Sequence, residues 1–163
     1  MSAFWMSHFC LLLGLLCAML AGVFLSFSDF IMTGLRRSDS AAGLEAMQNI
    51  NRTVFRSIFV LLFIALGAMS LCFTVFVTVK DIGAGQTLIA SGSAIYLIAV
   101  FMVTIYCNVP MNKRLEKVDK DSEEGAIYWD FYSRRWTLYN HIRTIGCIAA
   151  ALCFLIAADR CHY

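Results

Sequence analysis

Polar residues are scarce along this chain, and the places where they fall divide it into long apolar runs. Four runs stand out: Phe9–Thr33, Val54–Val79, Leu88–Cys107 and Ile142–Ala158. A helix needs roughly 20 mostly apolar residues to cross the hydrocarbon core of a bilayer. Each run carries Leu, Phe, Ile and Ala at all positions of the helical turn, the pattern of helices surrounded by lipid or by other helices. The pattern therefore predicts an all-α integral membrane four-helix bundle, organised as one transmembrane domain over residues 1–163 (helices about 9–33, 54–79, 88–107 and 142–158).

The connections add detail. "SDSAAGLEAMQNINRTVFRSI" offers Ser38, Asp39 and Ser40 as N-cap candidates. Leu44, Met47, Asn51, Val54 and Ile58 then recur at helical spacing, so helix two is expected to start before the membrane and enter it without a break. "KDIGAGQ" reads as a short turn. After the hydrophilic "DKDSEEG", no Gly or Pro interrupts the chain between Ala126 and Gly146, which predicts one long fourth helix from about 126 to 158. The only proline, Pro110, lies in "CNVPMNKRL". It disfavours helix at Val109 and has no amide to donate, so helix three is expected to end there.

Composition supports the class. The chain is 60% hydrophobic and 15% charged, where soluble domains carry about 25% charged residues; mean hydropathy is +0.73. No Lys or Arg precedes Arg36, so the first run lacks the basic start of a secretory signal and is expected to be retained. Arg36, Arg37, Arg52 and Arg56 flank the first connection, and Lys113, Arg114, Lys117, Lys120, Arg134, Arg135 and Arg143 belong to the third. Lys80 and Arg160 alone remain for the other side. The positive-inside rule then puts both long connections in the cytoplasm and both termini outside. The expected location is a bacterial inner (plasma) membrane, multi-pass, with the lipid bilayer as partner. Topology accounts for the basic residues, so nucleic-acid binding is not expected.

Small residues recur four apart in helix one at Gly14, Ala18, Gly22 and Ser26, a stripe that lets another helix approach closely. Ala90–Ala94 and Gly146–Ala151 are similar patches. Six of the seven cysteines lie inside the apolar runs, where they act as small hydrophobes; Cys161 is expected on the outer face, and no disulfide framework is indicated. His8 and His162 lie at outer helix ends without further ligands at metal spacing, so no metal site is expected. Asn51-Arg52-Thr53 fits the N-glycosylation pattern, but the expected topology puts it inside and makes the match accidental.

Costly polar residues from four separate segments converge on one membrane depth. Asp29 lies near the end of helix one, Asn51 and Arg52 where helix two enters, and Asn108 and Asn112 at the close of helix three. Asn140, His141 and Arg143 open helix four. An ionisable group at that depth points to function and needs a partner, and Arg52 and Arg143 are the candidates for Asp29. On helix four, Trp129, Ser133, Trp136, Asn140, Arg143 and Cys147 align on one side. An interfacial aromatic belt with snorkelling arginines accounts for Trp129, Tyr132, Tyr139 and Arg134, yet leaves Asn140 unexplained, since a buried unpaired amide is costly. His141, beside this cluster, is a candidate proton acceptor.

Four segments, "GVFLSFSDFIMTGL", "MQNINRTVFR", "NVPMNKRLEKVD" and "RRWTLYNHIRT", resemble the signatures of the anthrone-oxygenase-like family of small four-helix membrane proteins. Asp29 departs from the pattern, a small hydroxyl residue being more usual there. The resemblance implies oxidation of a polycyclic anthrone to an anthraquinone by O₂, a cofactor-independent monooxygenase reaction without metal or flavin. Under that implication His141, Arg143 and Asn140 are catalytic candidates, His141 as base and Arg143 stabilising oxyanion charge with Asn108 or Asn140 as hydrogen-bond donors. Trp136 stacks on the rings, and Asn108, Asn112, Asp29, Asn51 and Arg52 complete the substrate-binding set. The alternative is a non-enzymatic membrane bundle that binds a lipid, quinone or partner protein at its cytoplasmic end. A homo-oligomer fits either reading.

Overall fold

The computed structural model describes residues 3–80 and 83–161, and every regular element in them is helical. Helix α1 (Ala3–Ser26) passes through a π-helical turn (Phe27–Ile31) into α2 (Met32–Arg37). Then come α3 (Ser40–Val54), α4 (Ile58–Val79) and α5 (Gln86–Ile95). Two π-helical segments, Tyr96–Met102 and Thr104–Asn108, join α5 to α6 (Val109–Leu115), and α7 (Glu123–Arg160) closes the fold. Four continuous helical stretches are long and apolar enough to cross a membrane: Phe4–Arg37, Ile58–Val79, Gln86–Leu115 and Glu123–Arg160. In lipid every backbone group must find its partner within the segment, and long helices meet that demand. Large apolar side chains face outward, Leu61, Ile64, Leu71 and Val75 on α4 among them. The molecule is a membrane-embedded helical bundle.

Two elements differ from their sequence expectation. Helix two does not run unbroken from 40 to 79. The chain leaves α3 at Phe55, Ser57 is extended (φ −95°, ψ 155°), and its hydroxyl donates to the Val54 carbonyl at 2.6 Å. This break frees α3 from the direction of α4, so its apolar face packs across the end of the bundle. There Leu44 and Met47 join Met32, Leu115, Trp129, Tyr132 and Trp136 in a second core, separate from the main one between the spans. We call this the basic end, after the arginines and lysines that surround it.

Pro110 does not end helix three either. The helix continues to Leu115 with the proline in the first turn of α6, directly after the π-helical turn at Thr104–Asn108. A π-turn widens the helix and releases the hydrogen bond that a proline cannot make, so the ring is accommodated without a break. The end of α6 is closed from another helix: Gln48 Nε2 on α3 donates to the carbonyls of Leu115 (2.9 Å) and Val118 (3.0 Å). The Leu115 carbonyl, at the end of α6, also accepts from Val118 N at 3.3 Å.

Helix α7 is the spine of the fold. Its first turn is fixed by Ser122 Oγ, which accepts from Gly125 N at 2.9 Å, with Glu123 and Glu124 placed favourably for the helix dipole. It packs along α1 through Met6, Cys10, Leu13, Cys17, Leu20 and Phe24, spaced alternately by four and three. The predicted small-residue stripe is not that seam. Only Gly14 meets α7, where an added Cβ would stand 2.7 Å from Leu155; Gly22 opens onto free space and Ala18 is exposed. Steps of four turn about 40° further round the helix each time, which carries the stripe off the contact. Gly146 makes a similarly close approach to the third span: a Cβ there would lie 2.8 Å from that of Ala99. Cys161, expected on the outer surface, is buried beside Cys10, while His162 lies outside the described residues.

Candidate functional site

A cavity of about 470 Å³ lies where the two cores meet, a volume suited to a small organic ligand. All the spans and α3 contribute to it. Phe24 and Phe27 come from α1 and its π-turn, Met47, Ile50 and Asn51 from α3, and Phe59 and Phe63 from α4. Phe101, Thr104, Asn108 and Asn112 come from the third span, and Trp136, Asn140 and Arg143 from α7. Most of the wall is aromatic or aliphatic; Phe63 and Phe101 stack at 5.1 Å with planes 10° apart. Val23, Phe55, Ile64 and Ile105 line the cavity and are also exposed, so it opens sideways where lipid tails would lie.

The polar groups gather on the α7 side. Asn140 is fully buried, and its Nδ2 donates to the Phe24 carbonyl (2.5 Å) and to Ser28 Oγ (2.5 Å). Its Oδ1 accepts from Arg143 Nη2 at 2.5 Å. The unexplained asparagine of the sequence thus joins α7 to α1 and orients the guanidinium. Arg143 is 5% exposed and lies with its Cζ 4.4 Å from the Phe24 ring centre and 5.1 Å from that of Trp136. Nη1 reaches Thr104 Oγ1 at 3.5 Å, and Nε has no partner. Among the described residues no carboxylate forms an ion pair with it. A buried guanidinium held only by neutral groups keeps its full positive charge turned on its surroundings, and cation–π contact with two rings offsets part of the lost hydration.

Thr104, Asn108 and Asn112 descend the third span in steps of four. The π-turn between them compensates the drift such steps have in an α-helix, and all three line the cavity. Asn108 Nδ2 donates to the Trp136 carbonyl at 3.4 Å and Oδ1 is unpartnered; Asn112 Oδ1 accepts from the Tyr132 hydroxyl at 2.8 Å. Asn51 is 7% exposed, with Nδ2 unpartnered, so the sequon-like Asn51 is no surface acceptor. Trp136 presents its ring to the cavity and ends a stack with Tyr132 (6.2 Å) and Trp129 (5.9 Å). Trp129 and Tyr132 are buried in the basic-end core and do not form an interfacial belt, because α3 folds over them.

Three candidates stand apart from this group. Asp29 is exposed and pairs with neither arginine: the π-turn carries its neighbour Ser28 inward instead, and Ser28 makes the contact with Asn140. Arg52 is exposed and forms its ion pair with Glu116 at 2.6 Å. His141 is exposed and does not line the cavity, since it follows Asn140 by one residue and so points about 100° away on the helix. Sequence reasoning missed Ser28 and Thr104, hydroxyls inside apolar runs, and the phenylalanines of the wall. For Thr104 the spacing to Asn108 and Asn112 was the available signal.

No curated protein and no solved structure matches the chain. The profile of a protein family described as anthrone oxygenase matches residues 47–153, more than half of the chain, and the matched stretch includes the polar wall from Asn51 to Arg143.

Proposed function

The chain belongs to the anthrone oxygenase family, and on that premise we propose that the cavity oxidises a flat polycyclic aromatic with O₂, as an anthrone is oxidised to an anthraquinone. The observation that carries the reading is Arg143, a buried guanidinium without a counter-ion among the described residues, in the wall of an apolar, aromatic-lined cavity. An anthrone has an acidic methylene across the ring from its carbonyl. Loss of one proton yields a delocalised anion whose charge rests largely on that oxygen. Its electron pair passes to O₂ as the carbon–oxygen bond forms, giving a peroxide at the former methylene. Loss of the second methylene hydrogen as a proton, with cleavage of the O–O bond, leaves a carbonyl and releases water. One O₂ supplies one quinone oxygen and one water oxygen, and the substrate provides the electrons.

Arg143 favours this path by attracting the oxyanion inside a low-dielectric site, where an aligned charge acts more strongly than in water. Asn140 holds the guanidinium in place through its hydrogen bond. Phe24, Phe27 and Trp136 offer ring faces to a planar substrate. The lateral opening suits a molecule that partitions into the bilayer. The basic end faces the cytoplasm in this reading, and the membrane is the bacterial plasma membrane. Because His141 is exposed, its position gives no support to a role as base.

The test is oxygen uptake by purified protein with anthrone, followed together with quinone absorbance. The expected result is one quinone per O₂, with a loss of about tenfold or more in Arg143→Gln. Uptake no faster than in protein-free lipid would overturn the oxygenase reading and leave the non-enzymatic ligand-binding bundle.

A further inference from the structure

Among the described residues the cavity holds a cation but nothing that takes up a proton. Every lining residue except Arg143 is apolar, an amide, a threonine or a tryptophan, and a guanidinium does not serve as a base. The titratable groups on the surrounding elements are committed or turned away. On α7, Tyr132 donates to Asn112, Asp130 pairs with Arg134, Tyr139 is half-buried and His141 is exposed. Cys147 and, on α1, Cys17 are buried in the main core, and Asp29 is exposed. On α3, Glu45 pairs with Lys120 and Arg52 with Glu116; Arg56, in the break between α3 and α4, is exposed. On α4 only the exposed Cys72 titrates. On the third span Tyr96 donates to the Phe63 carbonyl, Cys107 is half-buried, and Tyr106, Lys113 and Arg114 are exposed.

A neutral acid bound in this cavity would find no group among the described residues to receive its proton. It would also displace water from the guanidinium without replacing the missing counter-charge, the arrangement that burial penalises most. An anion resolves both problems. We propose that the cavity takes its aromatic ligand as a preformed monoanion, a phenolate or enolate oxygen facing Arg143, the proton having been lost to water at the membrane surface before the ligand enters. The inference rests on the reading of the cavity as an aromatic-substrate site and adds the ionisation state selected there. Arg143 then acts as the specificity determinant that draws the ionised fraction out of the bilayer, in which the neutral form is otherwise favoured.

The test needs no turnover. 2-Hydroxyanthraquinone does not react with O₂, and its visible absorption moves to the red on ionisation, so its spectrum reports the bound form. The probe is titrated with pH in nanodiscs of phosphatidylcholine, with and without the protein. The expected result is an apparent probe pKa lower by about one unit or more with the protein, a preference of about tenfold for the anion. Saturable binding with the pKa unchanged or raised overturns the inference and leaves the oxygenase reading standing. Absence of saturable binding overturns both. In Arg143→Gln the probe is expected to bind in its neutral form, and Arg143→Lys to restore part of the shift; a full shift in the Gln variant overturns the assignment to Arg143. The wild-type titration decides the main point even where a variant fails to fold.

Discussion

Asn140→Ala separates structural from electrostatic roles at the polar wall. The substitution removes two interhelical hydrogen bonds, to the Phe24 carbonyl and to Ser28 Oγ, and one charge-assisted bond from Arg143 Nη2. Interhelical hydrogen bonds in membrane bundles are worth about 0.6 kcal/mol each, because the unfolded state in the membrane finds other partners. A hydrogen bond to a charged group contributes about 1.5–3 kcal/mol. The expected loss of stability is therefore about 3–4 kcal/mol, most of it from Arg143. Reversible unfolding in mixed detergent micelles, followed by helical circular dichroism, measures it. Ser28→Ala should lose only about 0.6 kcal/mol, having removed one neutral bond. If most of the Asn140 effect comes from the guanidinium, Asn140→Ala combined with Arg143→Met should be less destabilised than the sum of the single variants, by about 1 kcal/mol or more. A loss below about 1 kcal/mol for Asn140→Ala, or strict additivity in the double variant, would refute the argument that the asparagine holds a buried, otherwise uncompensated charge.

Other expectations test the remaining geometry. His141→Ala should change oxygen uptake with anthrone by less than about twofold, since an exposed ring one residue round the helix does not reach the cavity. Gln48→Ala removes the side-chain donor to the Leu115 and Val118 carbonyls and should lower stability by about 1–3 kcal/mol in the same unfolding assay. Gly146→Val places carbon against Ala99 and Val100 and should destabilise by about 1–3 kcal/mol, seen as a lower Tm. Arg52→Ala removes an exposed ion pair with Glu116, so the loss should stay under about 1 kcal/mol and shrink as salt is raised.

Asn140 was conspicuous as an amide that no interface explains, and in the fold it bonds two helices and a guanidinium. Asn51, Asn108, Asn112, Trp136 and Arg143 were also marked by cost, being polar or amphipathic where apolar residues are cheaper, and they line the same cavity. Asp29, Arg52 and His141 met the same criterion of depth and yet stand outside it. Depth along the membrane normal is legible from position in a run. Direction round the helix axis is not, once π-turns and breaks intervene. The turn at Phe27–Ile31 exchanges Ser28 for Asp29 at the inward position, and the turn at Thr104–Asn108 lets Pro110 remain inside a continuous helix.

What the sequence determined by itself is the class: helices that cross a bilayer, their number, and the accumulation of charge at one end. These follow from transfer free energies that add residue by residue and need no partner. The tertiary structure alone decided that α3 breaks from α4 and folds across the end of the bundle, burying Trp129 and Tyr132 and leaving a cavity between two cores. It also decided that Arg143 faces that cavity without a carboxylate among the described residues. Both outcomes depend on how segments far apart in sequence share one surface, and no local pattern encodes which of two adjacent side chains will meet the neighbouring helix.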